Sequence, residues 1–269
     1  MAENYVPFFA ANKDLWNKKT LVHKDSDFYD LASFKQGKPS LNSVELAELG
    51  DVSGKSLLHL QCHFGIDTLS LAKLGAKCTG ADISDESILL ARSLNKELGL
   101  DAEFICSNIY DLKENLDQKF DIVFTSYGTI GWLPDLDKWA GIINHFLKPG
   151  GIFYMVDFHP IVWMFDNHFI KFEYSYFNFG VIVEETSGTY ADRNAEIKQK
   201  EYGWNHPLSE IISALRNAGL QIDFLHEHDY SPYNCFNNTV EIAEDKWQIQ
   251  GLEGKIPMLY SIKTQGKNN

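Results

Sequence analysis

Basic residues are scarce in this sequence. Its 269 residues contain 24 Lys and Arg against 37 Asp and Glu, which gives a formal net charge of −13 at pH 7. No segment concentrates Lys and Arg, and a surface of this charge repels the phosphates of nucleic acids and the anionic face of a membrane. We therefore expect no nucleic-acid or membrane partner, and a neutral or cationic small molecule is easier to admit than a polyanion.

Cysteines and long apolar runs are also few. The four cysteines form no Cys-x-x-Cys pair, so we expect buried free thiols in a reducing compartment. No apolar run approaches the roughly 20 residues that span a bilayer. Residues 1–7 have neither the basic start nor the apolar stretch of a signal peptide. These absences predict a cytoplasmic protein, and they leave monomer and homodimer open.

The remaining composition suits one sizeable α/β domain with additions, since 44% of the residues are hydrophobic and 13% aromatic. Residues 57–60 form an apolar run between Gly54 and Gly65, after which the apolar spacing becomes helical. A second run ends at Asp82. This order of strand, tight turn, helix and strand is typical of a doubly wound, mostly parallel sheet. Asp82 follows the first strand at about the spacing where a carboxylate meets ribose hydroxyls.

The same alternation continues along the chain. Ser84 is a suitable N-cap for a helix that ends at Gly99. Further helices are predicted for residues 134–147 and 206–219, and further strands for residues 102–106, 120–124, 152–158, 220–229 and 258–263.

Residues 56–72 resemble motif I of the class I S-adenosylmethionine-dependent methyltransferases, in which an acidic residue precedes Gly-x-Gly-x-Gly. His59 takes the acidic place, Gln61 and His63 take the first two glycine places, and Gly65 takes the third. The sequence of residues 59–65, His-Leu-Gln-Cys-His-Phe-Gly, is also similar to a variant of this motif in a subgroup of the superfamily that acts on small molecules. The resemblance implies S-adenosylmethionine as cofactor and a Rossmann-like sheet of seven strands in the order 3-2-1-4-5-7-6. It also implies methyl transfer to a small-molecule acceptor by in-line displacement.

The resemblance and the loops at the carboxyl ends of the strands together indicate the cofactor site. The expected cofactor contacts are Leu60, Gln61, Cys62, Gly65, Asp82, Ile83, Ser107, Asn108, Ile109, Ser126 and Tyr127. Asn108 stands where relatives often carry an Asp that hydrogen-bonds adenine, and its amide can both donate and accept. A simple Asx turn is the alternative for this residue.

The acceptor is expected between residues 126–132, the segment at His159 and an N-terminal cap. The cap comprises residues 1–50 and is interpreted as a lid, and residues 51–269 form the methyltransferase domain. Trp16, Tyr29, Trp132 and His206 are the predicted substrate contacts. His159, directly after the fifth strand, is the best-placed general base. The alternative is that His159 braces the loop before Pro160.

An insertion at about residues 159–204 does not fit the basic fold. Alternating residues at 172–176 and 181–183 predict a hairpin with its turn at 178–180, and residues 198–204 could add a third antiparallel strand. The insertion is either a structural flap or dimer contact, or a wall that faces the substrate.

Other ligands are less well supported. His59, Cys62 and His63 resemble metal ligands but lack a fourth partner nearby, so no metal is expected. A nicotinamide-dependent oxidoreductase would need the Gly-x-Gly-x-x-Gly turn, which is absent here. A cofactor-binding protein of the same fold without turnover stays open as a third alternative.

Overall fold

The computed structural model describes residues 5–266. The helices are α1 Val6–His23, α2 Leu31–Lys35, α3 Ser43–Leu49, α4 Ile66–Lys73, α5 Asp85–Glu97, α6 Leu112–Asn115, α7 Leu136–Phe146 and α8 Leu208–Asn217. The strands are β1 Ser56–Leu60, β2 Lys77–Asp82, β3 Glu103–Cys106, β4 Phe120–Ser126, β5 Leu147–Phe158, β6 Ile182–Ser187, β7 Lys198–Gly203, β8 Gln221–His228, β9 Thr239–Ala243, β10 Lys246–Ile249 and β11 Leu259–Gln265. None of the helices in this part of the chain is long and apolar enough to cross a membrane.

The central sheet has seven strands in the order β3-β2-β1-β4-β5-β11-β8. Strand β11 runs antiparallel to both of its neighbours, and the other neighbouring strands pair in parallel. This order confirms the predicted Rossmann-like methyltransferase fold. The elements also begin and end within a few residues of their predicted bounds, except that β5 already starts at Leu147 and pairs there with Phe120.

Buried side chains cover both faces of the sheet. Leu57 of β1 packs with α4 and α5 residues such as Leu69 and Ile88 on one face. The next residue, Leu58, packs with Trp139 of α7 on the other face. Because successive strand residues point to opposite faces, a strand such as β1, which is buried at every position, is covered on both sides. The doubly wound arrangement follows from this pattern.

Two glycines fix the packing of the loop after β1. A Cβ atom on Gly80 of β2 would lie 2.8 Å from Cys62 Sγ, so this loop rests directly on β2. A Cβ atom on Gly65 would lie 2.5 Å from Cε1 of Phe104, and Gly65 has φ +77°. A larger residue is excluded at position 65 by both the backbone conformation and the neighbouring ring.

Helix α1 closes over the carboxyl ends of the strands. The Asn12 side chain donates to the Tyr202 carbonyl oxygen at 2.7 Å and accepts from the Tyr202 N–H at 3.0 Å, which docks α1 onto strand β7. On the opposite side, Thr20 and Ser87 join α1 to α5 through hydroxyls 2.6 Å apart. The cap helix therefore bridges the insertion and the main sheet.

The insertion differs from its prediction. The expected antiparallel strand at residues 198–204 is confirmed as β7, but it pairs with β6. Residues 172–176 are irregular apart from a bridge between Phe172 and Phe165, and they do not pair with residues 181–183. The reason is that the backbone N–H groups of Glu173 and Tyr174 both donate to the carbonyl oxygen of Met164. A second hairpin, β9 with β10, was not predicted from the sequence.

We expect Gly80→Ala to lower the free energy of unfolding by roughly 1–3 kcal/mol, because the added methyl group would overlap Cys62 and Phe104. The matched control is Gly141→Ala in α7, where a Cβ atom meets nothing within 4 Å. That change should stabilise the protein by about 0.4–1 kcal/mol. Urea denaturation of both variants measures the difference, and equal stabilities would contradict the close packing of the loop on β2.

Candidate active site

A cavity of about 1210 Å³ opens at the carboxyl edge of the parallel strands. Its wall is formed by the loops after β1, β2, β3 and β4, by the N-terminal cap and by the insertion. In open α/β sheets, ligands bind at this edge. The cavity is therefore the candidate active site.

All the residues predicted to contact the cofactor line this one cavity. They are Leu60, Gln61, Cys62, Gly65, Asp82, Ile83, Ser107, Asn108, Ile109, Ser126 and Tyr127. The structure brings them together because the loops that carry them follow β1 to β4, which are neighbours in the sheet. Their individual binding roles remain predictions.

The loop after β1 keeps the backbone of a glycine-rich turn without the glycines. Gln61 and His63 take the first two glycine places of the motif, and both adopt left-handed φ angles, 55° and 50°. Such a conformation costs non-glycine residues about 1–3 kcal/mol each. Local bonds offset this cost: the Cys62 N–H donates to the Ala81 carbonyl oxygen and the Gly65 N–H to that of Cys62.

The Gln61 side chain ties this loop to the loop after β4. Its Nε2 donates to the Thr129 carbonyl oxygen at 2.9 Å. Its Oε1 is buried and has no hydrogen-bond partner among residues 5–266. A buried acceptor without a partner is costly, so a donor group of a ligand in the cavity would satisfy it.

Asp82 is the acidic residue at the end of β2. Its carboxylate accepts the N–H of His63 at 2.8 Å and the N–H of Ser84 at 2.9 Å. Burial raises the pKa of Asp82 to about 6, although these hydrogen bonds act in the opposite direction and lower it. The residue lines the cavity and is ionised at neutral pH, so it can accept hydrogen bonds from the hydroxyl groups of a ribose.

Asn108 forms the Asx turn that the sequence left as its alternative. Its Oδ1 accepts the N–H of Tyr110 at 3.0 Å. The residue also lines the cavity. The turn and a ligand contact are therefore compatible, because the turn engages only one end of the amide.

The loop after β4 is held by Asp157 of β5, which the sequence analysis missed. The Asp157 carboxylate accepts the backbone N–H groups of Gly128, Thr129 and Ile130 and the Thr129 hydroxyl. Burial raises the pKa of this carboxyl group. An acidic residue inside an apolar strand is the signal that could have identified it, since a buried carboxylate needs several donors.

A neutral histidine, His59, lies in β1 just before the loop that carries the altered motif. His59 is buried, its Nδ1 lies 2.8 Å from the Thr68 hydroxyl, and burial lowers its pKa to about 3. The place of the motif's acidic residue is thus occupied by an uncharged imidazole.

Asp67, in the first turn of α4, also lines the cavity. Asp67 was not predicted as a site residue. Its only signal in the sequence is an acidic side chain in the first turn of a helix, and the helix dipole is enough to account for that.

Three predicted substrate contacts also line the cavity: Trp16, Tyr29 and Trp132. The Trp16 and Trp132 rings meet edge to face with centroids 5.4 Å apart. The ammonium group of Lys19 lies 5.0 and 5.2 Å from these two centroids and 3.2 Å from Glu201. This part of the cavity has aromatic walls and one paired cation.

His159 and His206 do not line the cavity. The His159 Nδ1 accepts the N–H of Ile161 at 3.2 Å, and its Nε2 lies 3.0 Å from Glu227. This geometry fits the bracing role rather than that of a base. The His206 Nε2 donates to the Leu133 carbonyl oxygen at 2.7 Å. Both rings are turned towards protein partners and away from the space where a substrate would lie.

Residues 57–151 match the family model described as a methyltransferase domain. A ubiquinone biosynthesis O-methyltransferase from Pseudomonas syringae pv. tomato is 28% identical over 208 residues, 76% of this chain and 81% of the relative. One from Bordetella avium is 25% identical over 216 residues, 80% of this chain and 77% of the relative.

Among solved structures, an S-adenosylmethionine-dependent methyltransferase from Clostridium acetobutylicum superposes with a TM-score of 0.58. It is 17% identical, over 96% of this chain and 99% of the other, a likeness that shows the fold alone. The matched domain lies on the expected sheet, and its loops line the cavity. Residues 57–151 are therefore similar to methyltransferase domains, and they lie on the fold seen in S-adenosylmethionine-dependent methyltransferases.

Proposed function

We propose that the chain transfers the methyl group of S-adenosylmethionine to a small-molecule acceptor inside this cavity. The observation that carries the proposal is that the loop after β1 and the Trp16 and Trp132 rings line one and the same cavity. When bound, the cofactor supplies an already activated methyl group. The chain itself has to orient two ligands and exclude water.

The order of the strands supports an assignment of the cofactor contacts. Asn108 follows β3, Asp82 ends β2, Gln61 follows β1 and Ser126 ends β4. Neighbouring strands lie about 4.8 Å apart, so these side chains form a row across the edge of the sheet. We assign Asn108 to the adenine, Asp82 to the ribose, and Gln61 with Ser126 to the amino-acid end.

The acceptor side of the cavity suits a compact molecule. Helix α1 and the β6–β7 hairpin cover it, and Trp16, Tyr29 and Trp132 supply aromatic walls. Both relatives described above are named as ubiquinone biosynthesis O-methyltransferases. Their names support a hydroxyl group of a small molecule as the methylated position in this chain as well.

His159 is not assigned as a general base. Its ring lies outside the cavity lining, and burial lowers its pKa although Glu227 opposes this shift. A base is required only for an acceptor that is protonated at the working pH. Orientation and exclusion of water are the contributions that the lining residues can make directly.

Methyl transfer to a small molecule can be tested with labelled cofactor and a cell extract. The extract is divided by ultrafiltration into a small-molecule and a macromolecular fraction, and each is incubated with the chain and S-adenosylmethionine labelled in the methyl group. We expect label in new compounds of the small-molecule fraction, with none when the enzyme is omitted. Label that enters only the macromolecular fraction would overturn the proposal.

Trp132→Ala should weaken use of the acceptor found in that way more than cofactor binding. We expect the acceptor KM to rise roughly 3- to 10-fold and the Kd of S-adenosylhomocysteine to stay within about twofold, because the ring lies on the acceptor side. The matched control is Phe179→Ala, since Phe179 is 86% exposed and lies outside the cavity. Equal losses in KM and Kd would place Trp132 at the cofactor instead.

The affinity for S-adenosylhomocysteine should depend on the ionisation of Asp82. The carboxylate, present above pH about 6, accepts ribose hydroxyls, so affinity should fall by up to about tenfold per pH unit below that value. In Asp82→Asn, affinity should be lower at neutral pH and should fall less steeply below pH about 6. Calorimetric titrations over a range of pH, with circular dichroism as a check on folding, provide the measurement. The same slope in both proteins would refute the ribose contact.

A further inference from the structure

The Asp67 carboxylate has no cationic partner in the part of the chain that the structure describes. Its Oδ1 accepts the Ser40 hydroxyl at 2.6 Å, and its Oδ2 accepts the Ser126 hydroxyl at 3.3 Å. Residues 5–266 contain no Lys, Arg or His within ion-pair distance of it. A carboxylate withdrawn from bulk water is costly unless a positive charge or enough donors compensate it.

The other carboxylates deep in the cavity already have partners. Asp157 accepts three backbone N–H groups, Asp82 accepts two, and Glu201 pairs with Lys19. Only neutral hydroxyls contact Asp67. Glu184 in the cavity lining also accepts only a hydroxyl, that of Tyr174, but the charge of Lys19 nearby partly compensates it. Asp67 is therefore the carboxylate best able to receive a cationic group of a ligand.

The position of Asp67 relative to β4 indicates which group that is. Ser126, at the end of β4, lies 3.3 Å from Asp67 and 3.4 Å from His59 Nε2. In the strand order β3-β2-β1-β4, this point at the end of β4 is separated from Asp82 at the end of β2 by β1 and its loop. With the ribose at Asp82, the amino-acid end of the cofactor is the part that reaches β4, and its ammonium group is its cation.

Gln61, which is bonded to the loop after β4, supplies an independent observation. Its Nε2 is engaged by Thr129, just after β4, and its buried Oε1 has no partner among residues 5–266. An ammonium group has three donors and no acceptor. A carboxylate and an amide oxygen that lack donors of their own match this requirement.

We propose that Asp67 is the counter-charge that binds the ammonium group of the cofactor, with Gln61 Oε1 as a second acceptor. The inference rests on the cofactor placement proposed above. In this chain the negative charge comes from the first turn of α4 and not from the end of β1, where His59 is uncharged at neutral pH. Asp67 thereby contributes to binding and orienting the cofactor.

The test compares two ligands of the full chain by calorimetry at neutral pH. One is S-adenosylhomocysteine and the other its deaminated analogue, in which a hydrogen atom replaces the amino group and the carboxylate is kept. The unmodified chain should bind S-adenosylhomocysteine roughly 10- to 100-fold more tightly, the range for a charge-assisted hydrogen bond. In Asp67→Asn this preference should shrink to about twofold or less, because the negative charge is gone.

Two control variants separate the charge of Asp67 from its structural contacts. Ser40→Ala removes a donor to Asp67 and keeps the charge, so the preference for the amino group should persist. Asp82→Asn should weaken both ligands by a similar factor and leave their ratio unchanged. A structural role of Asp67 alone would lower both affinities together and would not change the ratio.

The outcomes distinguish this inference from the proposed function. Equal affinity of the unmodified chain for the two ligands overturns the role of Asp67, even if Asp67→Asn fails to fold. An unchanged preference in a folded Asp67→Asn overturns it as well. If the unmodified chain binds neither ligand, the cofactor placement fails first, and the inference fails with it.

Discussion

Buried carboxylates at the carboxyl edge of the sheet determine the shape of the cavity. Asp157 gathers the N–H groups of three successive residues after β4, and Asp82 connects the loop after β1 to the start of α5. Without these acceptors, backbone N–H groups would be left unpaired beside a partly apolar cavity, at a cost of about 1–3 kcal/mol each. The loops can therefore turn sharply around the cavity, because buried carboxylates accept hydrogen bonds from the backbone N–H groups that the turns leave without backbone partners.

The fold could be predicted because it depends on short-range signals. The apolar run of β1, the change to helical spacing after Gly65 and the acid at the end of β2 each lie within a few residues of the element they specify. The cofactor side of the cavity follows from the same information, since every loop there directly succeeds a strand. The sequence could not show that Gln61 and His63 adopt left-handed backbone angles, because this conformation depends on how the loop packs on β2.

The partners of the two histidines and the pairing of the insertion could not be predicted, because they are distant in sequence. Glu227 lies beside His159, and the Leu133 carbonyl oxygen accepts a hydrogen bond from His206, but no local pattern links either pair. In the insertion, the alternation at residues 172–176 resembles a strand, yet its N–H groups are taken by Met164. Periodicity indicates which backbone could pair but not which acceptor is nearest once the chain has folded.

The altered motif becomes understandable when the charge of the whole edge is considered. An acid at position 59 would lie in the core beside Phe124, whose ring centroid is 4.7 Å from that of His59. The neutral imidazole there has the Thr68 and Ser126 hydroxyls as its partners and avoids a buried charge. Asp67 keeps a carboxylate near the same end of β4 while facing the cavity, where a ligand can neutralise it. Moving the negative charge from strand to helix thus changes which residue supplies it and keeps it at the same place along the edge of the sheet.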